Sequence, residues 1–273
     1  MTEQLYLADS TVREFEATVE RALDDRVVLD RTHFYPTGGG QPNDTGTLRV
    51  VDPGSDADAA DDAADASSGR VSAGDEFSVG DVEKTDTIYH HLDGPAPPEG
   101  TVVRGELDWD RRYAHMRYHT AQHLLSAVLL DEFDARTVGN QLYADRARLD
   151  AEYPKFTETD LADVEARMNG LVEDGLPVRH YTMDREVAEA ELDTERTRID
   201  LLPDSITELR IVEIGGGDDG DGDGGTAGDG GPFDRTACAG THVPATDEIG
   251  EVTVTGRTTQ GGDRERVTFT CDG

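Results

Sequence analysis

Between residues 111 and 133 the sequence reads RRYAHMRYHTAQHLLSAVLLDEF, dense in Ala, Leu and Met and with neither Gly nor Pro. Such a run propagates a helix of several turns. Around it, Gly and Pro clusters cut the chain into short β-rich pieces. One long helix set among antiparallel strands reads as an α+β protein.

On the N-terminal side, RVVLDRTHFYPTGGGQPNDTGTLRV alternates β-rich runs with a Gly/Pro cluster, which predicts short antiparallel strands around a tight loop. Residues 51–80 begin VDPGSDADAADDAADASSGR, too acidic and too poor in apolar side chains to pack, so a solvated loop is expected. A strand resumes at TIYHHLDG, and PAPPEG follows as a turn. The character changes near residues 108–110, which predicts two domains, 1–105 and 106–273. Within the second, ARLDAEY, PVRHYTM and ELRIVEI read as strands. Thr157 is placed to N-cap a helix that puts Leu161, Val164, Met168, Leu171 and Val172 on one face. Residues 215–231, GGGDDGDGDGGTAGDGG, read as an expanded loop, and EVTVTGR and RERVTFT as two strands joined by Gly261 and Gly262.

Composition narrows the class. The 273 residues are 35% hydrophobic, enough for a substantial core, and no apolar stretch approaches the ~20 residues that cross a bilayer. The N-terminus, MTEQLYLADS, carries neither a basic region nor an apolar one, so a cytoplasmic protein without membrane association is expected. Two cysteines, Cys238 and Cys271, cannot build a disulfide framework. The formal charge is −34, and Lys84 and Lys155 are the only lysines. Acidity of this kind is the solvation strategy of halophilic archaea, in whose salt-rich cytoplasm the Debye length shrinks to about 3 Å. An anionic partner is therefore compatible with the charge.

Chemistry is carried by histidines. His119 and His123 stand one turn apart on the long helix and point at one spot. CAGTHV adds Cys238 and His242, and three nitrogens with one sulfur make a tetrahedral set suited to zinc rather than to magnesium or calcium. His115 lies a further turn upstream, and about 12 Å of rise to His123 prevents both from binding one ion. The spacing alone leaves open which pair is used. Gln122 stands where a metalloprotease helix carries its glutamate base, and an amide takes no proton at neutral pH.

Three stretches in order, FYPTGGGQPNDTG, HTAQHLLSAV and CAGTHV, resemble the AlaX proteins, free-standing relatives of the alanyl-tRNA synthetase editing domain. The resemblance spans nearly the whole chain. It implies an N-terminal β-barrel-like domain bearing the Gly-rich loop, then an α+β editing domain with an antiparallel sheet that holds one zinc ion per chain. It selects His119, His123, Cys238 and His242 as ligands and leaves His115 unassigned, as a helix-surface or core residue. One departure concerns the ligand loop: Ala239 stands where the family commonly has glycine, and an alanine held at positive φ would strain it.

The implied reaction is deacylation of tRNA(Ala) mischarged with serine, and with glycine as a further substrate. Cys238, His119 and His123 are the candidate catalytic residues through the metal, which can polarise the ester carbonyl, activate water or hold the substrate. Metal or the terminal ribose hydroxyl is expected to replace a side-chain base. A polar group that bonds the seryl hydroxyl would reject alanine; the candidates are Thr32, Thr137, Asn140 and Gln141. Gly38, Gly39, Gly40 and Gln41 either form only a tight turn or let backbone approach the seryl group or terminal adenosine. Arg104, Arg111, Arg112, Arg117, Arg136, Arg146 and Arg148 gather around the helix, chiefly as partners of Asp and Glu. A monomer is expected. The competing readings are a zinc hydrolase of another acyl ester and a tRNA-binding module with structural zinc, since four protein ligands normally close a site.

Overall fold

The computed structural model describes residues 1–53, 71–193, 196, 197, 199, 202, 203, 205–216 and 231–273. Residues 54–70 and 217–230, the bulk of the two segments read above as loops, lie outside the described residues. The chain divides into two compact units, Met1–Tyr113 and Ala114–Gly273.

The first unit is built on β1 (Glu3–Gln4), β2 (Glu14–Leu23), β3 (Arg26–Leu29), β4 (Arg31–Thr32), β5 (Gly46–Asp52), β6 (Glu76–Lys84), β7 (Ile88–Leu92) and β8 (Val102–Leu107). Six of these close a barrel in the order β2-β3-β7-β6-β5-β8, while β1 and β4 pair in parallel outside it. Alternation decides what fills the barrel. Phe15, Ala17 and Val19 of β2 and Val103 and Leu107 of β8 point inward, where they join Val27, Leu29, Phe34, Leu48, Val50, Val79 and Val82. β3 and β5, the runs flanking the Gly/Pro cluster, do not pair with each other: β3 lies between β2 and β7, and β5 between β6 and β8. The acidic segment also ends earlier than its composition predicts, because β6 begins at Glu76.

The long helix is α1 (Trp109–Phe133), whose first turn counts with the barrel unit. There Arg112 and Asp44 form an ion pair with neither side chain exposed. Arg112 Nε donates to Asp44 Oδ1 at 3.1 Å and Oδ2 at 3.0 Å, Nη1 donates to the Ser10 carbonyl at 3.0 Å, and Nη2 donates to the His33 carbonyl. Asp44 closes the GGGQPND stretch and also accepts from the Tyr35 amide at 2.6 Å.

In the second unit follow β9 (Thr137–Leu142), β10 (Ala147–Glu152), α2 (Glu158–Glu173), β11 (Val178–Asp184), α3 (Arg185–Glu191), β12 (Glu208–Ile214), β13 (Asp234–Ala237), β14 (Glu251–Thr259) and β15 (Arg264–Asp272). They form two antiparallel sheets, β14-β15-β10-β9 and β11-β12-β13. Thr157 caps α2 in a reciprocal capping box with Asp160, and Val164, Met168, Leu171 and Val172 are buried, with Leu161 half-buried. Along α1, Met116, Tyr118, Ala121, Leu124, Leu125, Val128 and Leu129 are buried together with seven polar residues, Arg112, His115, His119, Thr120, Gln122, His123 and Ser126. So many buried polar side chains on one helix require partners from other elements.

Candidate metal centre

Consecutive turns of α1 place His119 and His123 on one face, with ring centroids 5.3 Å apart. The loop leaving β13 brings Cys238 and His242 to the same place. The His242 ring lies 4.4 Å from that of His119 and 4.7 Å from that of His123, and the four ligand atoms all lie within 4.8 Å of one another. Cys238 Sγ stands 3.6 Å from His119 Nε2 and 3.4 Å from His242 Nε2. Zinc bonds of about 2.0–2.3 Å in a tetrahedron require ligand separations of roughly 3.3–3.8 Å, so these residues fit the ion. Three of the four are buried, and Cys238 is half-buried.

The ligand loop is held from below. Arg210 on β12 donates to the carbonyls of Cys238 at 2.8 Å and Gly240 at 3.2 Å, and the Cys238 amide donates to the Arg210 carbonyl at 3.0 Å. The Gly240 amide points at Cys238 Sγ, 3.4 Å away. Ala239 does not have positive φ: Asp134 is the sole such non-glycine among the described residues. Alanine therefore sits in the loop without the strain its replacement of glycine raised as a concern.

Hydrogen bonds assign the histidine tautomers. Thr120 Oγ1 donates its single proton to the Met116 carbonyl at 2.9 Å, so it must accept from the Val243 amide at 3.3 Å and from His242 Nδ1 at 3.2 Å. His242 thus carries its proton on Nδ1 and turns Nε2 toward the cluster. His123 Nδ1 lies 2.8 Å from Asp234 Oδ2, and a carboxylate only accepts. Here too Nε2 faces the cluster. Asp234 is in turn bound by Arg196, whose guanidinium also reaches the Ser126 hydroxyl. Asp234, Arg196, Thr120 and Arg210 carry no local motif, so sequence reasoning missed all four.

Charge inside the cluster favours the ligand forms of Cys238 and His242. Burial alone would raise the Cys238 thiol, but the neighbouring His119 and His242 hold it well below the usual cysteine value. Burial, reinforced by the His119 charge, lowers His242 to about 3. His123 goes the other way: burial is outweighed by Asp234 and Cys238, which raise it to about 9. Cys271 on β15 belongs to another environment, where burial raises its thiol to about 12.

The remaining candidates are dispersed. His115 is buried in α1 and is not one of the four converging residues. Gln122 is buried with its amide oxygen unpaired among the described residues. Thr137 on β9 touches α1 through its hydroxyl, bonded to Ser126. The β9–β10 register shifts between Thr137 and Gly139, so Thr137 and the exposed Asn140 share the face of Ala151 and Leu149, while Gln141 sits opposite Arg148 on the other face. In the barrel unit, the buried Thr32 bonds His90 Nε2 at 2.8 Å and accepts from the Phe34 amide at 3.1 Å. Gly38 and Gln41 exchange both backbone hydrogen bonds around Gly39 (φ 58°) and Gly40 (φ 83°), a two-residue turn that suits glycine at both central positions.

Comparison with known proteins agrees with this arrangement. Residues 3–111 match the family of class II (A) tRNA synthetases, and residues 209–268, which span the Cys238–His242 loop, match the second additional domain of threonyl and alanyl tRNA synthetases. The chain is 38% identical over 276 residues to an alanyl-tRNA editing protein AlaX-M of Methanosarcina barkeri and 36% identical over 278 residues to one of Methanosarcina acetivorans, covering 99% of each chain. It is also 34% identical over 276 residues to an alanine--tRNA ligase of Pyrococcus furiosus, of which it covers 26%. Among the described residues no helix is long and apolar enough to cross a membrane. A full-length match of this kind, together with the two histidines of α1 and the CAGTH loop, means that the chain belongs to the AlaX family of alanyl-tRNA editing proteins.

Proposed function

We propose that this AlaX protein is a deacylase that releases serine, and secondarily glycine, from mischarged tRNA(Ala), with one zinc ion held by His119, His123, Cys238 and His242. The observation that carries the reading is the convergence of those four ligand atoms within 4.8 Å in a chain of this family. When bound, zinc supplies a Lewis acid that polarises the ester carbonyl.

The chain's own residues then have limited tasks. An aminoacyl ester is already activated, so the site has to place a water and the carbonyl. Two described side chains near the ligands offer no free base: Gln122 is an amide, and both oxygens of Asp234 are engaged by Arg196 and His123. The substrate's terminal ribose hydroxyl is left as the group that shuttles the proton. Thr137 and Asn140, on the helix-facing side of β9, are the proposed contacts to the seryl hydroxyl; Gln141, Thr32 and the Gly38–Gln41 turn are assigned supporting contacts to the tRNA end. The soluble partner is tRNA(Ala), bound by a monomer.

One observation favours a second reading. Four protein ligands describe a closed structural site, under which the chain would bind tRNA without hydrolysing the ester. Deacylation of Ser-tRNA(Ala) and Ala-tRNA(Ala) in molar potassium chloride separates the two. The deacylase releases serine with alanine at least about a hundredfold slower, and Cys238→Ala abolishes release. Tight binding of tRNA(Ala) without serine release by folded, zinc-loaded protein would establish the binding module instead.

A further inference from the structure

Asp234 and Arg196 are buried in a way that a salt bridge alone does not require. The Asp234 side chain is 1% exposed and that of Arg196 13%. Arg196 Nε donates to Oδ1 at 2.8 Å and Nη2 to Oδ2 at 2.8 Å, the two-point geometry that already satisfies a buried carboxylate. Yet Asp234 Oδ2 accepts a further hydrogen bond from His123 Nδ1 at 2.8 Å, and Arg196 Nη2 also reaches the His123 carbonyl at 3.2 Å. The same residue is therefore gripped at its ring through Asp234 and at its backbone by Arg196. Arg196 Nη1 completes the fork on Ser126 Oγ at 2.7 Å, one turn further along α1.

Three separate segments meet here: α1, the stretch at Arg196, and β13, which begins with Asp234 and runs directly into Cys238. One strand thus delivers a ligand and the carboxylate that faces a second ligand. The other oriented histidine, His242, has the neutral Thr120 hydroxyl at its Nδ1 in place of a carboxylate.

From this geometry we infer that Asp234 and Arg196 act as a positioning pair for His123: Asp234 fixes its Nδ1–H tautomer and ring plane, and Arg196 fixes Asp234. The inference rests on the zinc reading above for its consequence, because a ring locked with Nε2 toward the cluster loses less freedom when the ion binds. Carboxylates that orient a ligating histidine contribute tenfold to a hundredfold in metal affinity. Neither residue touches the ester.

The test uses the full chain with Asp234→Ala, Asp234→Asn, Arg196→Gln and Ser126→Ala. Zinc affinity is read by competition with a chelator, the His123 tautomer by nitrogen-15 NMR of the metal-free protein at a pH well above 9, where the ring is neutral, and folding by thermal melting of the same samples. Asp234→Ala is expected to weaken zinc tenfold to a hundredfold and to release His123 into a mixture of tautomers. Asp234→Asn retains an acceptor and recovers part of both, Arg196→Gln falls between, and Ser126→Ala leaves zinc affinity within about twofold of wild type. If Asp234→Ala does not fold, Arg196→Gln and Asp234→Asn carry the comparison. Wild-type zinc affinity with a retained Nδ1–H tautomer in folded Asp234→Ala or Arg196→Gln would overturn the positioning role. Failure of the wild type to bind zinc would instead sink the metal reading, while the tautomer in the metal-free chain still decides whether Asp234 orients His123.

Discussion

The His/Cys cluster shows how differently two layers of residues enter a sequence. His119, His123, Cys238 and His242 were legible because each pair is local, four positions apart, and helix geometry or a short loop converts that spacing into a shared target. Thr120 was not, although it lies between two of them, because its role depends on accepting from Val243 and His242 across the fold. Replacing it with the near-isosteric valine leaves two buried donors unpaired, so Thr120→Val is expected to lose about 1–3 kcal/mol in a denaturant titration of the metal-free protein. An unchanged midpoint would show that His242 finds another acceptor. His90 offers a residue-scale test in the barrel. Burial is the main cause that lowers its pKa from 6.5 to about 4, although a bond to the Val27 carbonyl favours charge. Between those values the unfolded chain binds more protons than the folded one, so the contribution is fully present above about pH 6.5. It falls as pH drops toward 4, by about 3 kcal/mol in total. The pH dependence of stability should lose that slope in His90→Gln, and a slope equal to wild type would exclude His90 as its source.

Elements with a strong local signal formed as their sequence indicates: α1 from its unbroken run, α2 from the Thr157 cap, and β14–β15 as a hairpin through the Gly-Gly turn. α3 and β13 carried too short a signal, with REVAEAE and DRTA set between turns. Pairing was not legible at all for β3 and β5, since partners in a closed sheet are fixed by non-local register rather than by adjacency. Asp44 illustrates the same limit: it stands in a motif whose glycines attract attention, yet its structural task is the buried bond to Arg112. Breaking that pair leaves an uncompensated charge, so Arg112→Leu is expected to destabilise the barrel unit by about 3–5 kcal/mol in urea melts. Gly250 makes the complementary case for a turn. Its φ is 78°, and an added Cβ would lie 2.1 Å from the Asp272 carbonyl oxygen. Gly250→Ala should therefore unfold the β14–β15 end of the second unit first, seen as lost amide-exchange protection there; retained protection would contradict the steric account.

At the scale of the whole chain, a formal charge of −34 opposes compaction by self-repulsion, and salt relieves it as the Debye length falls from about 10 Å at 0.1 M to about 3 Å at 1 M. The melting temperature should rise with potassium chloride through the molar range, and a flat or falling curve would show that the surface charges are already compensated. The barrel itself entered the sequence reading only through resemblance, because closure by β2·β8 and β5·β8 pairing leaves no periodic trace. Family membership and the four converging ligands together reduce the central claim to one dependence, that serine release requires the metal. The measurement is the rate of serine release from Ser-tRNA(Ala) as metal-free protein is titrated with zinc in molar potassium chloride, with bound zinc counted per chain. The account requires a rate that rises in proportion to occupancy and saturates at one zinc per chain. A rate independent of zinc, or no release at full occupancy, would contradict it.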